Sequence, residues 1–249
     1  MRTLLRLPLT GLLLALLLLL GAMSLAWNLV ALLLYPLLPR ERGLAVGRAG
    51  IAYGYRLYWA VAAASGMIRL EAQALDALRD QPRLILVANH PSLLDALLLV
   101  ARLPRSACIM KASLVRNPFL GAGARLARYI RNDSPRGMIR LAVEDLQRGG
   151  QLVVFPEGTR SAGGGLNPFR PGVTLIAKLA GAPIQTVFID TDSPYLGKGW
   201  PLWKLPPLPI RFSVRMGARF APAEDSDALL RELQTYFAAG LGAHGTKPS

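Results

Sequence analysis

Residues Arg83 to Ala101 read "RLILVANHPSLLDALLLVA", and the fold turns on how this stretch is divided. Its first part, "LILVA", is apolar at every position and too short for a helix, which is the pattern of a strand buried on both faces. Its last part, "LLDALLLVA", has helix-forming residues throughout. Between them "NHPS" supplies a corner, with Pro91 and Ser92 suited to starting a helix. A buried strand turning directly into a helix is the unit of an α/β domain. His90 and Asp95 stand five apart across this corner in an otherwise apolar run. At that spacing the carboxylate can reach back to the imidazole, fix its tautomer and leave the second ring nitrogen as a base near neutral pH. On residue types alone this spacing is a weak signal, and a core histidine satisfied by a neighbouring side chain is the commoner reading.

Outward from this stretch the same texture repeats. Short apolar or β-branched runs occur at "SACIMKA", "ARYIRN", "GQLVVFP", "PIQTVFID" and "IRFSVRMGARF". The clearest helix is Pro135 to Arg148, with Ser134 as N-cap, Pro135 in the first turn and Gly149 closing it. This alternation predicts a mostly parallel central sheet flanked by helices over residues 67–240. Residues 241–249, with "GAHGTKPS", read as a flexible tail.

The N-terminal region has a different character. Hydrophobic residues make up 52% of the 249, and mean hydropathy is +0.34, high for an ordinary soluble enzyme. No charged residue occurs from Leu7 to Pro39. About 20 apolar residues span a bilayer, so the run predicts one long tilted membrane helix or a helical hairpin, with Gly21 and Asn28 as candidate breaks. A cleaved signal peptide, with Arg2 and Arg6 as its basic start, fits less well because the apolar run continues past any cut after Ser24 or Ala26. Arg40, Arg42 and Arg48 follow, which predicts a cytoplasmic (inner) membrane protein whose following domain faces the cytoplasm. Residues 44–66 predict a second helix. Tyr53, Tyr55, Tyr58 and Trp59 either sit at the membrane interface or pack on the domain. Residues 1–66 together form the anchoring unit.

The second polar cluster is "QLVVFPEGTRS", Gln151 to Ser161. A buried strand that stops on Pro-Glu-Gly places polar groups at the carboxyl edge of the sheet, where α/β proteins bind ligands. Gly158 lets backbone amides approach an anion, Thr159 adds a hydroxyl, and Arg160 can grip a phosphate bidentately. Residue types alone leave an ordinary polar turn open. No G-x-S-x-G elbow or Walker loop is present, and in "GAGARLA" Leu126 occupies a position that a dinucleotide fingerprint keeps small.

"NHPSLLD" and "FPEGTRS", about sixty residues apart after a hydrophobic N-terminus, together resemble the glycerolipid (lysophospholipid) acyltransferases, typified by the 1-acylglycerol-3-phosphate acyltransferases. "KASLVRNPFLG" and "GAPIQTVFID" match the family's second and fourth blocks, so the resemblance covers roughly residues 66–192. It implies catalytic roles for His90 and Asp95, and acceptor-phosphate binding by Glu157, Gly158, Thr159 and Arg160. From the second block it implies substrate contacts for Lys111 and Arg131. Arg131 stands one place early, with Asn132 in the expected position. The implied reaction is direct acyl transfer. His90 takes the proton of a lysophospholipid hydroxyl as it attacks the thioester of acyl-CoA or an acyl carrier protein. The implied acceptor is 1-acyl-sn-glycerol-3-phosphate, giving phosphatidic acid. The alternatives are another lyso-acceptor, such as a lysoglycolipid or a lyso-amino-acid lipid. Neither a metal nor a cofactor beyond the acyl co-substrate is implied.

The formal charge of +14, from 29 Lys+Arg against 15 Asp+Glu, favours anionic partners. Membrane lipids and an anionic acyl donor fit it. A nucleic-acid module would need aromatic-flanked basic patches away from the membrane, and none is seen. A non-catalytic binder of acidic lipids would explain the charge and the leucine run but not the two polar blocks. The single cysteine, Cys108, excludes an intrachain disulfide, and with only His90 and His244 beside it a Cys/His zinc site is not expected. Late in the chain, Trp200 and Trp203 alternate with Lys198 and Lys204 among prolines. This loop either dips into a headgroup region or packs on the sheet edge.

Overall fold

The apolar run "LILVA" is strand β2 (Leu84–Ala88), buried at all five positions. It lies at the centre of a seven-stranded sheet in a computed structural model that describes residues 6–161 and 165–245. Arg2, part of the glycine loop after Ser161 and the last four residues fall outside that description. The sheet order is β1-β7-β6-β2-β5-β3-β4. The strands are β1 (Ile68–Glu71), β3 (Ser106–Met110), β4 (Ile130–Arg131), β5 (Gln151–Val154), β6 (Ile184–Thr191) and β7 (Ile210–Phe220). All neighbours are parallel except β6 and β7.

Alternate side chains of β2 enter two separate cores. Leu84, Leu86 and Ala88 join the core under helices α1 (Arg6–Leu37), α2 (Arg40–Ala64) and α3 (Asp95–Arg102). Ile85 and Val87 join the core under α5 (Pro135–Gln147), α6 (Gly172–Ala180) and α7 (Ser226–Gly245). A short helix, α4 (Gly121–Leu126), packs mainly on α1 and α2. The mostly parallel, helix-flanked sheet agrees with the sequence expectation. Strand β1 and the antiparallel pairing of β7 were not anticipated. The α5 cap is as read: the Ser134 hydroxyl accepts the Gly137 amide, and Gly149 has a φ of +83°. Helix α7 continues to Gly245, into the segment expected to be a tail.

Helix α1 is unbroken over 32 residues, about 48 Å at 1.5 Å per residue. Its stretch Leu7–Leu37 is long and apolar enough to cross a membrane. The hairpin turn falls at its end, before α2, not within the leucine run. Asn28 is a docking residue instead of a break. Its Oδ1 accepts the amides of Ala122 (2.7 Å) and Gly123 (3.0 Å), and its Nδ2 donates to the Pro118 carbonyl (2.6 Å). On α2, Tyr58 and Trp59 are buried in the core while Tyr53 is exposed, so α2 packs on the domain through one face. Gly47 permits that approach: a Cβ there would come 2.5 Å from the Ala127 backbone nitrogen.

Candidate active site

Strands β2 and β5 are parallel neighbours, with Val87 opposite Val154. The loops leaving their carboxyl ends therefore start side by side, although their sequences are far apart. Three residues further on the correspondence holds: the His90 amide donates to Glu157 Oε1 (3.3 Å), and the Ser161 amide returns a bond to the His90 carbonyl (2.8 Å). On the other side of β2, the buried Asn89 side chain bonds both ways with the Ile189 backbone of β6, at 2.9 and 2.8 Å. The backbone on either side of the imidazole is thus fastened to both neighbouring strands.

The imidazole itself is held on two sides. Nδ1 lies 2.8 Å from Asp95 Oδ2, and the ring stacks on Phe155 at 4.1 Å between centroids. Asp95 Oδ2 also accepts the Ser92 amide at 2.7 Å. When Asp95 is ionised its oxygens can only accept, so this geometry suits the tautomer that carries the proton on Nδ1 and leaves Nε2 free. Asp95 is wholly buried, and its Oδ1 has no partner among the described residues. Burial pushes its carboxyl above the ordinary value, opposed by the bonds from His90 and Ser92 and by the charge of Arg160. The helix begins at Asp95 itself, so Ser92 belongs to the preceding turn. There its hydroxyl donates to the Tyr195 carbonyl at 3.1 Å.

His90 lines a cavity of about 500 Å³ that continues between the sheet and the helical hairpin. Its apolar wall includes Met23 and Trp27 of α1, Ile51 of α2 and Leu97 of α3. Gly158, Thr159, Arg160 and Lys111 also line it, so four of the expected binding residues share the cavity with His90. Arg160 Nη1 donates to the Leu196 and Gly197 carbonyls (2.7 and 3.0 Å), tying down the loop that precedes the tryptophans. Gly158 has a φ of +68°, which strains any side-chain-bearing residue, and a Cβ there would sit 2.5 Å from Arg170 Nε, so a substitution would also have to displace that side chain.

Two expected binding residues lie elsewhere. Glu157 is buried and points away from the cavity. Oε1 accepts His90 N and the Ser161 hydroxyl, and Oε2 accepts the amide and side-chain nitrogen of Asn167. It braces the two loops and has no acceptor site left for a substrate hydroxyl. Arg131, one place early in the sequence, leaves the two-residue strand β4 on the side away from His90. It lines a different cavity and pairs with Asp133 at 3.4 Å. Asn132 takes the place at the main cavity, its Oδ1 accepting the Ala112 amide. Cys108 also lines the main cavity, but burial pushes its thiol up to about 12, which removes it as a nucleophile near neutral pH. The positioning roles of Asn89, Phe155, Asn167 and Asn28 were not foreseen. Asn89 gives a signal as an amide closing an otherwise apolar strand, and Asn28 as a polar residue in an apolar run; Phe155 and Asn167 give none.

Residues 69–190 match the family model described as Acyltransferase. The chain is 27% identical over 190 residues to a 1-acyl-sn-glycerol-3-phosphate acyltransferase of Pseudomonas aeruginosa, covering 74% of this chain and 72% of that protein. It is 30% identical over 194 residues to an enzyme of the same name from Limnanthes alba, covering 75% and 66%. Its fold is similar to the crystal structure of the 1-acyl-sn-glycerophosphate (LPA) acyltransferase PlsC from Thermotoga maritima. That match has a TM-score of 0.73, 22% identity and full coverage of both chains.

Proposed function

Because the chain belongs to the glycerolipid acyltransferase family and is an O-acyltransferase, we propose that it acylates the free hydroxyl of a lysophospholipid at the membrane, with His90 as general base. The observation that carries this reading is the 2.8 Å bond between His90 Nδ1 and a buried Asp95, at the polar end of a largely apolar cavity. Asp95 holds the tautomer that leaves Nε2 basic. Nε2 takes the proton as the acceptor oxygen attacks the thioester carbonyl, a role typically worth ~10²–10⁴-fold. The new ester bond forms as the carbon–sulfur bond breaks, and the imidazolium returns its proton to the departing thiolate.

The apolar wall suits an acyl chain, and Lys111, Arg160 and the Gly158–Thr159 turn suit a phosphate at its polar end. The acceptor is 1-acyl-sn-glycerol-3-phosphate, the product phosphatidic acid, and the donor acyl-CoA or acyl carrier protein. Membrane attachment through α1 brings the lipid acceptor to the site, with the domain on the cytoplasmic side where the donor is made. The test is thiol release from acyl-CoA by purified protein in mixed micelles, with and without the lysolipid, and mass spectrometry of the lipid product. The expected result is thiol release only with acceptor, phosphatidic acid as the product, and no activity in His90→Ala. Release without acceptor would make the protein a thioesterase. Full activity in a folded His90→Ala variant would remove His90 from the reaction.

A further inference from the structure

A second cavity, of about 320 Å³, lies on the far side of Tyr129, Met110 and Ala124 from the main one. Arginines 40, 125, 128, 131 and 148 all line it. Its two carboxylates each pair with an arginine outside these five: Glu144 with Arg140 and Asp145, through Oδ1, with Arg48, each at 2.7 Å, while Asp145 Oδ2 is buried without a hydrogen-bond partner among the described residues. Arg131 is taken by Asp133. Arg40, Arg125 and Arg148 therefore have no carboxylate partner among the described residues. Like charges gathered around one concavity repel one another, and an anion seated among them reverses the sign of that interaction.

Arg128 gives an independent indication. It follows α4 with a φ of +56°, at the position where a helix end ordinarily uses glycine. The amide of the next residue, Tyr129, closes the turn onto the Ala124 carbonyl at 2.9 Å. A side chain there costs backbone strain of about 1 kcal/mol, and this one reaches the cavity. Its guanidinium lies 5.4 Å from the centroid of the Tyr35 ring. Tyr35 is in the last turn of α1, beside the exposed Leu32, Leu33 and Leu37. The cavity thus combines unpaired guanidiniums, an aromatic ring and an adjoining exposed apolar helix face.

We propose that this cavity binds the phosphate headgroup of an anionic membrane phospholipid, whose acyl chains lie along the exposed face of α1. The site is separate from the one that holds the acceptor during catalysis. It requires α1 to sit in the membrane and does not depend on the reaction assigned to His90. A soluble phosphate source, the acyl donor's nucleotide portion, shares the chemistry but has no use for the apolar flank.

The experiment uses full-length protein in the His90→Ala background, so that turnover plays no part. Binding is measured to phosphatidylcholine vesicles with and without phosphatidylglycerol, and again with coenzyme A added. Arg125→Gln/Arg148→Gln tests the charge. Arg128→Gly tests the site with the backbone strain relieved. Arg69→Gln/Arg79→Gln removes the same charge elsewhere. The expected result is a phosphatidylglycerol-dependent gain in binding that falls about ten- to a hundredfold in the first two variants. The remote pair should keep it, coenzyme A should leave it unchanged, and Arg128→Gly should melt no lower than its parent. Three outcomes would overturn the proposal: equal loss in the remote pair, no loss in the first two variants, or displacement of the lipid by coenzyme A.

Discussion

Asp95 illustrates how function and stability separate at a single side chain. Its folded-state carboxyl is raised by burial, so between the ordinary and the raised value the folded state holds more protons than the unfolded one. Stability then falls as pH rises through that window, and the ionised form is a standing cost above it. Asp95→Asn removes the cost and keeps an oxygen for the Ser92 amide, but it cannot hold the imidazolium. It should melt higher than the parent at pH 7 while turnover drops by at least a hundredfold. The melting difference should shrink as pH falls below the ordinary carboxylate range. A parent that melts higher than Asp95→Asn at pH 7 would contradict the burial argument. Glu157 behaves in the opposite way, because its two oxygens accept four hydrogen bonds from His90, Ser161 and Asn167. Glu157→Gln turns an NH₂ group towards donors and should cost about 1–3 kcal/mol of stability, measurable by denaturant unfolding. In the surviving enzyme KM for the lysolipid should stay near the parent value while kcat falls, since the residue braces the histidine and does not touch the acceptor.

At the level of elements, the reading of Arg83–Ala101 succeeded because a five-residue run with no polar position has only one comfortable home, a doubly covered strand. The His90–Asp95 pairing was legible for a similar reason: five residues across a strand–helix corner leave few places for the carboxylate to go. Glu157 is not legible as a brace because His90 meets it only through the β2–β5 register and Asn167 only through the fold of the long β5–α6 connection, neither of which a local pattern encodes. Strand β1 escaped notice because four residues beginning "IRLE" have no buried run and gain their place only by pairing with β7. Asn28 looked like a flaw in an apolar helix when read alone; its partners Pro118, Ala122 and Gly123 lie about ninety residues on. Asn28→Leu should therefore leave α1 as apolar as before but strip two buried amides of their acceptor, at about 1–3 kcal/mol. A lower melting temperature with unchanged membrane fractionation is the expected result; an unchanged melting temperature would mean that α1 is held by its apolar contacts alone.

For the molecule as a whole, the membrane attachment proposed above would rest on two physically different contributions. Basic residues near an anionic surface contribute ~1 kcal/mol each and are screened by salt, whereas a long apolar helix is indifferent to salt and alkali. The full chain should stay with the membrane through both high-salt and alkaline washes, followed by immunoblotting of pellet and supernatant. Release by salt alone would show that α1 is not inserted. The same helix supplies Met23 and Trp27 to the wall of the cavity that contains His90, so the proposed anchor and the proposed reaction vessel share one side. A chain trimmed at Pro39 to obtain a water-soluble enzyme would lose that side, flooding the site with solvent and leaving the acyl chain without a seat. Reattaching such a trimmed domain to the bilayer by a foreign helix would restore its address but not its activity, because what was cut away is part of the container.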